Sequence, residues 1–204
     1  MRFVSLFALA LIATYGAAVL AADPVPDLYR RSYDQESLGN YSGALASMDE
    51  VKKASAPDYV FHLRCGWLLY LAGRFLDAAK EYAAAVELEP SSVEAKLGAM
   101  LPLMAARRWR EAEEVADDVL ALAPGDFNAQ SRLAYIHYSQ GRYAKAEAAY
   151  RKLVQAFPAN VEMRAGLGWS LLKLNKAAQA REELKRVLRI APDHSSAQRA
   201  LAAL

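Results

Sequence analysis

Along residues 127–160 the apolar side chains fall three and four positions apart in two runs, with Gly141 between them. Such spacing gathers each run's apolar groups on one helical face, so the stretch predicts two amphipathic helices joined by a tight turn. In the first run Ala129, Leu133 and Ile136 form the stripe that packs on the second helix. The stripe recurs upstream as Phe61, Cys65 and Leu68–Leu69, and downstream as Met163, Leu167 and Leu171. No convincing strand pattern interrupts the series, which predicts an all-α chain.

The pattern returns every 34 residues. Prolines recur at Pro90, Pro124, Pro158 and Pro192. A second register holds Ala44, Ala78, Ala112, Ala146 and Ala180; a third holds Tyr41, Phe75, Trp109, Tyr143 and Ala177. Each register has a mechanical reason. The alanines let the second helix of a pair cross the first closely. A proline bars the residue before it from helical geometry, so second helices should end near Glu89, Ala123, Phe157 and Ala191. Gly39, Gly73 and Gly141 stand where the chain leaves a first helix and must turn with positive φ. Asn175 suits the same place, whereas Arg107 would adopt it at a cost of roughly 1 kcal/mol. Pro102 falls inside a first helix, where its ring crowds the carbonyl of Gly98 and predicts a kink.

A 34-residue period of helix pairs resembles the tetratricopeptide repeat family, and the resemblance runs from about Val25 to His194. It implies a right-handed α-solenoid with repeats at 25–58, 59–92, 93–126, 127–160 and 161–194, closed by a capping helix at 195–204. In such an array each repeat buries its apolar faces on its neighbours and there is no single central core. The first repeat is the loosest copy: Pro57 lies one place late, and Arg31–Ser32 replace the small or apolar pair seen as Cys65–Gly66 or Leu167–Gly168. Terminal repeats are atypical because one of their faces meets solvent.

The resemblance also implies that the first helices line a concave wall that binds a partner. One register on those helices reads Tyr33, Trp67, Leu101, Tyr135 and Trp169. Three residues later stand Glu36, Tyr70, Met104, Tyr138 and Leu172; four residues earlier stand Tyr29, Leu63, Leu97, Ser131 and Ala165. Arg30, Arg64 and Arg132 run beside them, interrupted by Gly98 and Gly166. The candidate partner contacts are therefore Tyr29, Tyr33, Leu63, Arg64, Trp67, Tyr70, Leu101, Met104, Arg132, Tyr135, Tyr138, Trp169 and Leu172. Trp67, Tyr70, Tyr135, Tyr138 and Trp169 are its central anchors, and the arginines are suited to a peptide's carboxylates. The competing reading packs the rings between adjacent first helices. Tyr29, Tyr33, Leu63 and Leu97 occupy most places where the family's carboxylate clamp has Lys and Asn, so the chaperone-tail ligand of that clamp is not expected.

Residues 1–22 differ in kind. Arg2 precedes an apolar run that ends in small residues before Asp23, the plan of a cleavable secretory signal peptide with cleavage after Ala21 or Ala22. The alternative is a membrane anchor formed by residues 3–22. The solenoid would then occupy 23–204, beginning with Asp23–Asp27 as a short extended spacer because of its two prolines. An exported, periplasmic protein of the cell envelope is the expectation.

At 204 residues, 54% hydrophobic and 24% charged, the chain is balanced overall, but its charge is unevenly placed. Asp23–Asp126 carries 11 Lys and Arg against 18 Asp and Glu, whereas 127–204 carries 13 against 5. That division suggests head-to-tail self-association; with an export signal and no basic recognition motif, nucleic acid is not an expected partner. Catalytic chemistry is not expected either. No nucleophile elbow or glycine-rich phosphate loop occurs. His62, His137 and His194 lie in different repeats, so neither a metal nor another cofactor is expected. Cys65, the one cysteine, sits on the core stripe as an inert thiol. Glu113–Glu114 and Asp117–Asp118 read as a solvated outer face. The sequence thus points to a non-catalytic scaffold for protein–protein interaction that binds a peptide or helical segment. A carbohydrate- or peptidoglycan-binding accessory protein and a self-associating structural subunit are the alternatives, since aromatic faces also stack on sugar rings.

Overall fold

The computed structural model describes residues 23–204, and the expected leader at 1–22 lies outside the described residues. Within them the chain is all α-helical: α1 (Val25–Ser37), α2 (Tyr41–Ala54), α3 (Tyr59–Leu71), α4 (Phe75–Leu88), α5 (Val93–Ala105), α6 (Trp109–Leu122), α7 (Phe127–Ser139), α8 (Tyr143–Ala156), α9 (Val161–Lys173), α10 (Ala177–Ile190) and α11 (Ser195–Ala202). None is long and apolar enough to cross a membrane. Each helix packs on the next, and α3, α5, α7, α9 and α11 also touch in sequence, so the first helices of successive pairs form one continuous wall. The result is an α-solenoid.

A register at the start of the first helices builds this regularity. Asp58, Ser92, Asp126, Asn160 and His194 are N-caps whose side chains accept from the backbone N–H groups of Phe61, Ala95, Ala129, Met163 and Ala197. Each satisfies a donor that the first turn leaves without a partner, typically worth about 1 kcal/mol. His194, read from sequence as one of three scattered histidines, is the last of these caps.

First helices end alike as well. Arg74, Arg108, Arg142 and Lys176 donate their backbone N–H groups to carbonyls five residues back, at Leu69, Leu103, His137 and Leu171. That closure needs a left-handed residue just before it. Gly73 and Gly141 supply it, and so do Arg107 at φ 57° and Asn175 at φ 58°. The second helices α4, α6, α8 and α10 end just before Glu89, Ala123, Phe157 and Ala191, which leave helical geometry ahead of the prolines, with ψ between 69° and 83°. Ala44, Ala78, Ala112, Ala146 and Ala180 have no exposed surface, which accounts for the absence of larger side chains in that register.

Two local expectations change. Residues 23–27 are not an extended spacer, because α1 begins at Val25 with Pro26 in its first turn and Leu28 N–H donating to the Pro24 carbonyl. A first-turn proline gives up only a donor that has no intrahelical acceptor anyway. Pro102 does fall inside a first helix, fully buried within α5 (Val93–Ala105). The paired acids of α6 are also not simply solvated. Glu113 turns inward to hold Arg142, beside His137, and Asp118 pairs with Lys96.

Candidate functional site

Three adjoining depressions run along the wall of first helices. The first, about 850 Å³, is lined by Tyr33, Glu36, Tyr41, Tyr59, Leu63, Arg64, Trp67 and Glu94 among others. The second, about 260 Å³, shares Leu63, Trp67 and Glu94 with it and adds Tyr82, Leu97, Gly98, Leu101 and Arg132. The third, about 430 Å³, starts from Arg132 and includes Ser131, Tyr135, Tyr138, Tyr150, Glu162, Gly166, Trp169, Ser196 and Arg199. Shared lining makes them one interrupted trough.

The second and third depressions are copies, two repeats apart. Adding 68 to Leu63, Trp67, Tyr82, Glu94, Leu97, Gly98 and Leu101 gives Ser131, Tyr135, Tyr150, Glu162, Ala165, Gly166 and Trp169, all of which line the third. A glycine under a tyrosine ring builds each floor. A Cβ on Gly98 would stand 2.2 Å from the Tyr82 ring, and one on Gly166 would stand 2.5 Å from that of Tyr150. Each phenol, carried by a second helix, therefore reaches the first-helix wall only where a side chain is missing. Burial pushes the Tyr82 hydroxyl up to about 12 and raises that of Tyr150 further, so both stay neutral hydrogen-bonding groups.

The interruptions in the arginine register have the same cause. Tyr82 faces Gly98 and Tyr150 faces Gly166, while the smaller Met48 and Ala116 precede Arg64 and Arg132 by the same sixteen residues. Large and small alternate across the interface, so the gap is filled either from the second helix or by an arginine of the wall.

Sequence spacing placed three registers on one face; the structure separates them. Tyr33 is 55% exposed and Tyr135 47%, while Trp67, Leu101 and Trp169 are half-buried and line the depressions. The register three residues on faces the start of its own second helix. Tyr70 packs at a tilt on Phe75, and Tyr138 edgewise on Tyr143. Met104 packs into the cluster that holds Trp109, and Leu172 bridges the two C-terminal clusters. Of these four, only Tyr138 also lines the trough. Leu63 lines the first two depressions, whereas Tyr29 is packed on the N-terminal cluster of Leu28, Ala44 and Met48.

Arg64 is not free to meet a partner's carboxylate. It is buried, bonds Glu36 through Nη1, and donates from Nε and Nη2 to Ser32 at 3.1 and 3.0 Å. Its guanidinium lies 3.8 Å from the centre of the Tyr33 ring. Glu36 also accepts from Trp67 Nε1 at 2.7 Å. Burial alone would raise the Glu36 carboxyl, but hydrogen bonds from Trp67 and Arg64 and the arginine's charge outweigh it, leaving the group below the usual carboxylate range. Burial pushes the Cys65 thiol up to about 12, which disfavours its reactive thiolate.

Tyr82, Tyr150, Glu94 and Glu162 line the depressions without having been candidates. The two tyrosines belong to second helices and carry no sign of reaching the wall when read alone. Their signal was available as a pair, each tyrosine sixteen residues before a glycine in adjoining helices.

A tetratricopeptide repeat family model matches residues 29–93 and 103–161, and a second model of that description matches residues 137–204. The Protein CTR9 homolog of Arabidopsis thaliana is 27% identical over 129 residues, 63% of this chain and 12% of that protein. The Hsp70-Hsp90 organizing protein of Triticum aestivum is 32% identical over 98 residues, 48% of this chain and 17% of that protein. The chain thus matches only a small part of either relative. Among solved structures, MamA from Desulfovibrio magneticus RS-1 superposes with a TM-score of 0.77 at 20% identity, covering 84% of this chain and 97% of that one. A thermophilic TPR protein of Thermus thermophilus gives 0.64 at 18% identity, covering 88% and 98%. At these identities the likeness is one of fold.

Proposed function

The chain belongs to the tetratricopeptide repeat family, and we propose that it is a non-catalytic scaffold that holds a peptide or helical segment of a partner protein in the aromatic trough of its first helices. The observation that carries this reading is the exposure of Tyr33 and Tyr135 on a wall whose neighbouring register is half-buried against the second helices. Rings needed only for packing would be covered too, and an aromatic-lined depression with a few polar groups is the usual form of a binding site. Large aromatics at the centre of an interface are the residues most often worth about 2 kcal/mol or more when truncated.

The partner is sought in the cell envelope, because the N-terminal sequence has the plan of a secretory signal. N-terminal sequencing of the exported protein should find Ala22 or Asp23 first; a chain starting at Met1 and sedimenting with membranes would refute export. The binding reading is tested with Tyr135→Ala, whose thermal midpoint should stay close to that of the parent while capture of a partner from envelope extract falls at least about tenfold, the factor that 1.4 kcal/mol represents. Unchanged capture by a folded Tyr135→Ala would remove the trough from the site. Retention on peptidoglycan, lost with the same substitution, would instead favour the glycan reading.

A further inference from the structure

The side of the solenoid away from the trough is tied together at some junctions and open at another. Towards the C-terminus, the basic residue that precedes each second helix reaches back to a carboxylate on the second helix before it. Arg142 bonds Glu113 of α6, and Lys176 bonds Glu147 of α8 at 2.6 Å. Both pairs are 29 residues apart, so they are one register of the repeat. In the two earlier junctions that register sets Arg108 against Ala79 and Arg74 against Leu45. Neither partner can accept a hydrogen bond through its side chain. Both arginines turn instead to an acid three residues on, Glu111 and Asp77. Leu45 packs on the N-terminal cluster and fills its place. Ala79 does not, and among the described residues no ion pair joins α4 to α6.

The gap is a cleft of about 650 Å³. Leu76, Ala79, Ala83 and Val86 line it along α4, and Ala99 and Leu103 of α5 form its floor. Leu97, Gly98 and Leu101, which line the trough, lie on the other side of the same helix. Leu76 is 55% exposed, a large aliphatic group at the mouth of the cleft. The four α4 positions follow one another at three, four and three residues, so they form an apolar ridge about 15 Å long. A ridge of that period packs against another helix, whereas an extended chain turns alternate side chains away from it.

The rim carries an excess of negative charge. Its Lys96 is held by Asp118 and its Arg108 by Glu111. Lys80 lies 3.7 Å from Asp77, and Glu114 lies 3.7 Å from Arg110 in a pair exposed to solvent at both ends. Such exposed pairs are weak and leave the carboxylate open to exchange. Glu87 has no ion pair among the described residues. The part of the chain that holds the cleft, up to Asp126, has 11 Lys and Arg against 18 Asp and Glu, a field that favours a basic visitor.

We propose that the cleft between α4 and α6 seats an amphipathic helix of a second partner protein, with an aliphatic stripe against α4 and α5 and Lys or Arg beside that stripe, towards Glu87 and Glu114. A helix laid apolar face down in a groove is a recurrent mode of recognition. The site stands apart from the trough and lets the chain hold proteins on two opposite faces. A second copy of this chain fits it poorly. In the basic half, the large exposed apolar residues Tyr135, Phe157 and Ile190 are spread over α7 and the ends of α8 and α10 and form no helical stripe.

Ala79→Glu supplies the absent carboxylate. It should bond Arg108 and close the cleft as Glu113 and Glu147 close theirs, with a thermal midpoint no lower than the parent's. The probe is a displayed library of helical peptides of about 14 residues, roughly 21 Å long, with leucines three and four apart and all other positions random. It is panned on the full chain. Selected peptides should carry Lys or Arg beside the leucines and bind Ala79→Glu at least about tenfold more weakly, a loss of about 1.4 kcal/mol. Leu76→Lys, at an exposed position, should weaken them as much, and it tests the same wall if the first variant does not fold. Tyr135→Ala, in the trough, should leave their Kd unchanged. Peptides indifferent to both cleft variants, peptides with acidic flanks, or no selected peptide at all overturn the assignment, and none of these results touches the proposed function of the trough. Sedimentation of the parent and Ala79→Glu closes the test: self-association abolished by the substitution would give the cleft to a second copy and overturn the occupant named here.

Discussion

Arg64 and Arg132 occupy one repeat position and stand in opposite circumstances. At the N-terminal end, Arg64 is 5% exposed in its side chain, locked to Glu36 and Ser32, and covers a tyrosine ring. Two repeats on, Arg132 has methionines where those partners were and a single backbone carbonyl as acceptor. In the first case the arginine helps close an atypical terminal repeat; in the second it leaves charge on the trough floor. A residue's register in a repeat array thus fixes where its side chain emerges, while the adjacent helices fix what it does there.

The largest expected effect breaks the closed end. Glu36→Ala leaves the buried Arg64 charge without its carboxylate, and loss of one member of a buried pair costs about 3–5 kcal/mol. Chemical denaturation should register that loss, whereas Arg132→Gln gives up only the hydrogen bond to the Leu97 carbonyl and should cost less, about 1.5–3 kcal/mol at most. Equal costs at the two positions would erase the distinction.

Next in size is overpacking at the alternation between the two kinds of site. Gly98→Val must push into the Tyr82 ring and should cost about 1–3 kcal/mol. Adding Tyr82→Ala should make the valine at 98 tolerable, so the double variant should be more stable than Tyr82→Ala alone. Strict additivity would show that Gly98 and Tyr82 are not matched.

Acid sharpens the same comparison more gently. Glu36 titrates below its usual range in the folded state, so its contribution is full above the unfolded carboxylate value near about 4.3 and disappears as pH falls through the lower folded value. The thermal midpoints of the parent and Glu36→Gln should differ most near neutral pH and converge as pH falls below the usual carboxylate range. A gap that widens on acidification would contradict the assignment.

The smallest effect concerns the two halves as bodies of opposite sign. The acidic part up to Asp126 and the basic part beyond it should give weak head-to-tail association at low salt. Screening at about 8 Å in physiological salt should abolish it. Sedimentation at both ionic strengths is the measurement, and a monomer in each would remove the idea.

Most of the backbone architecture was legible because a repeat writes the same local physics many times. The prolines, the left-handed turn residues and the alanines each act on their own segment, and five copies separate signal from coincidence. The capping register Asp58, Ser92, Asp126, Asn160 and His194 was equally available but changes residue type, which hides it from a search for identical residues. The site was less legible. Spacings of three and four bring Trp67 and Tyr70 to one broad face, yet the start of α4 covers Tyr70 through Phe75 and leaves Trp67 along the trough.

By itself, then, the sequence determined the all-helical array, its period and its turns, because those follow from dihedral preferences and helical periodicity within one repeat. Only the tertiary structure decided which aromatics are covered, that Tyr82 and Tyr150 emerge above missing side chains, and that Arg64 is held in an ion pair while Arg132 is not. The covering depends on pairs five positions apart and the other outcomes on pairs 16 to 32 positions apart, all on different helices. Their volumes and charges have consequences only once the helices are packed against one another.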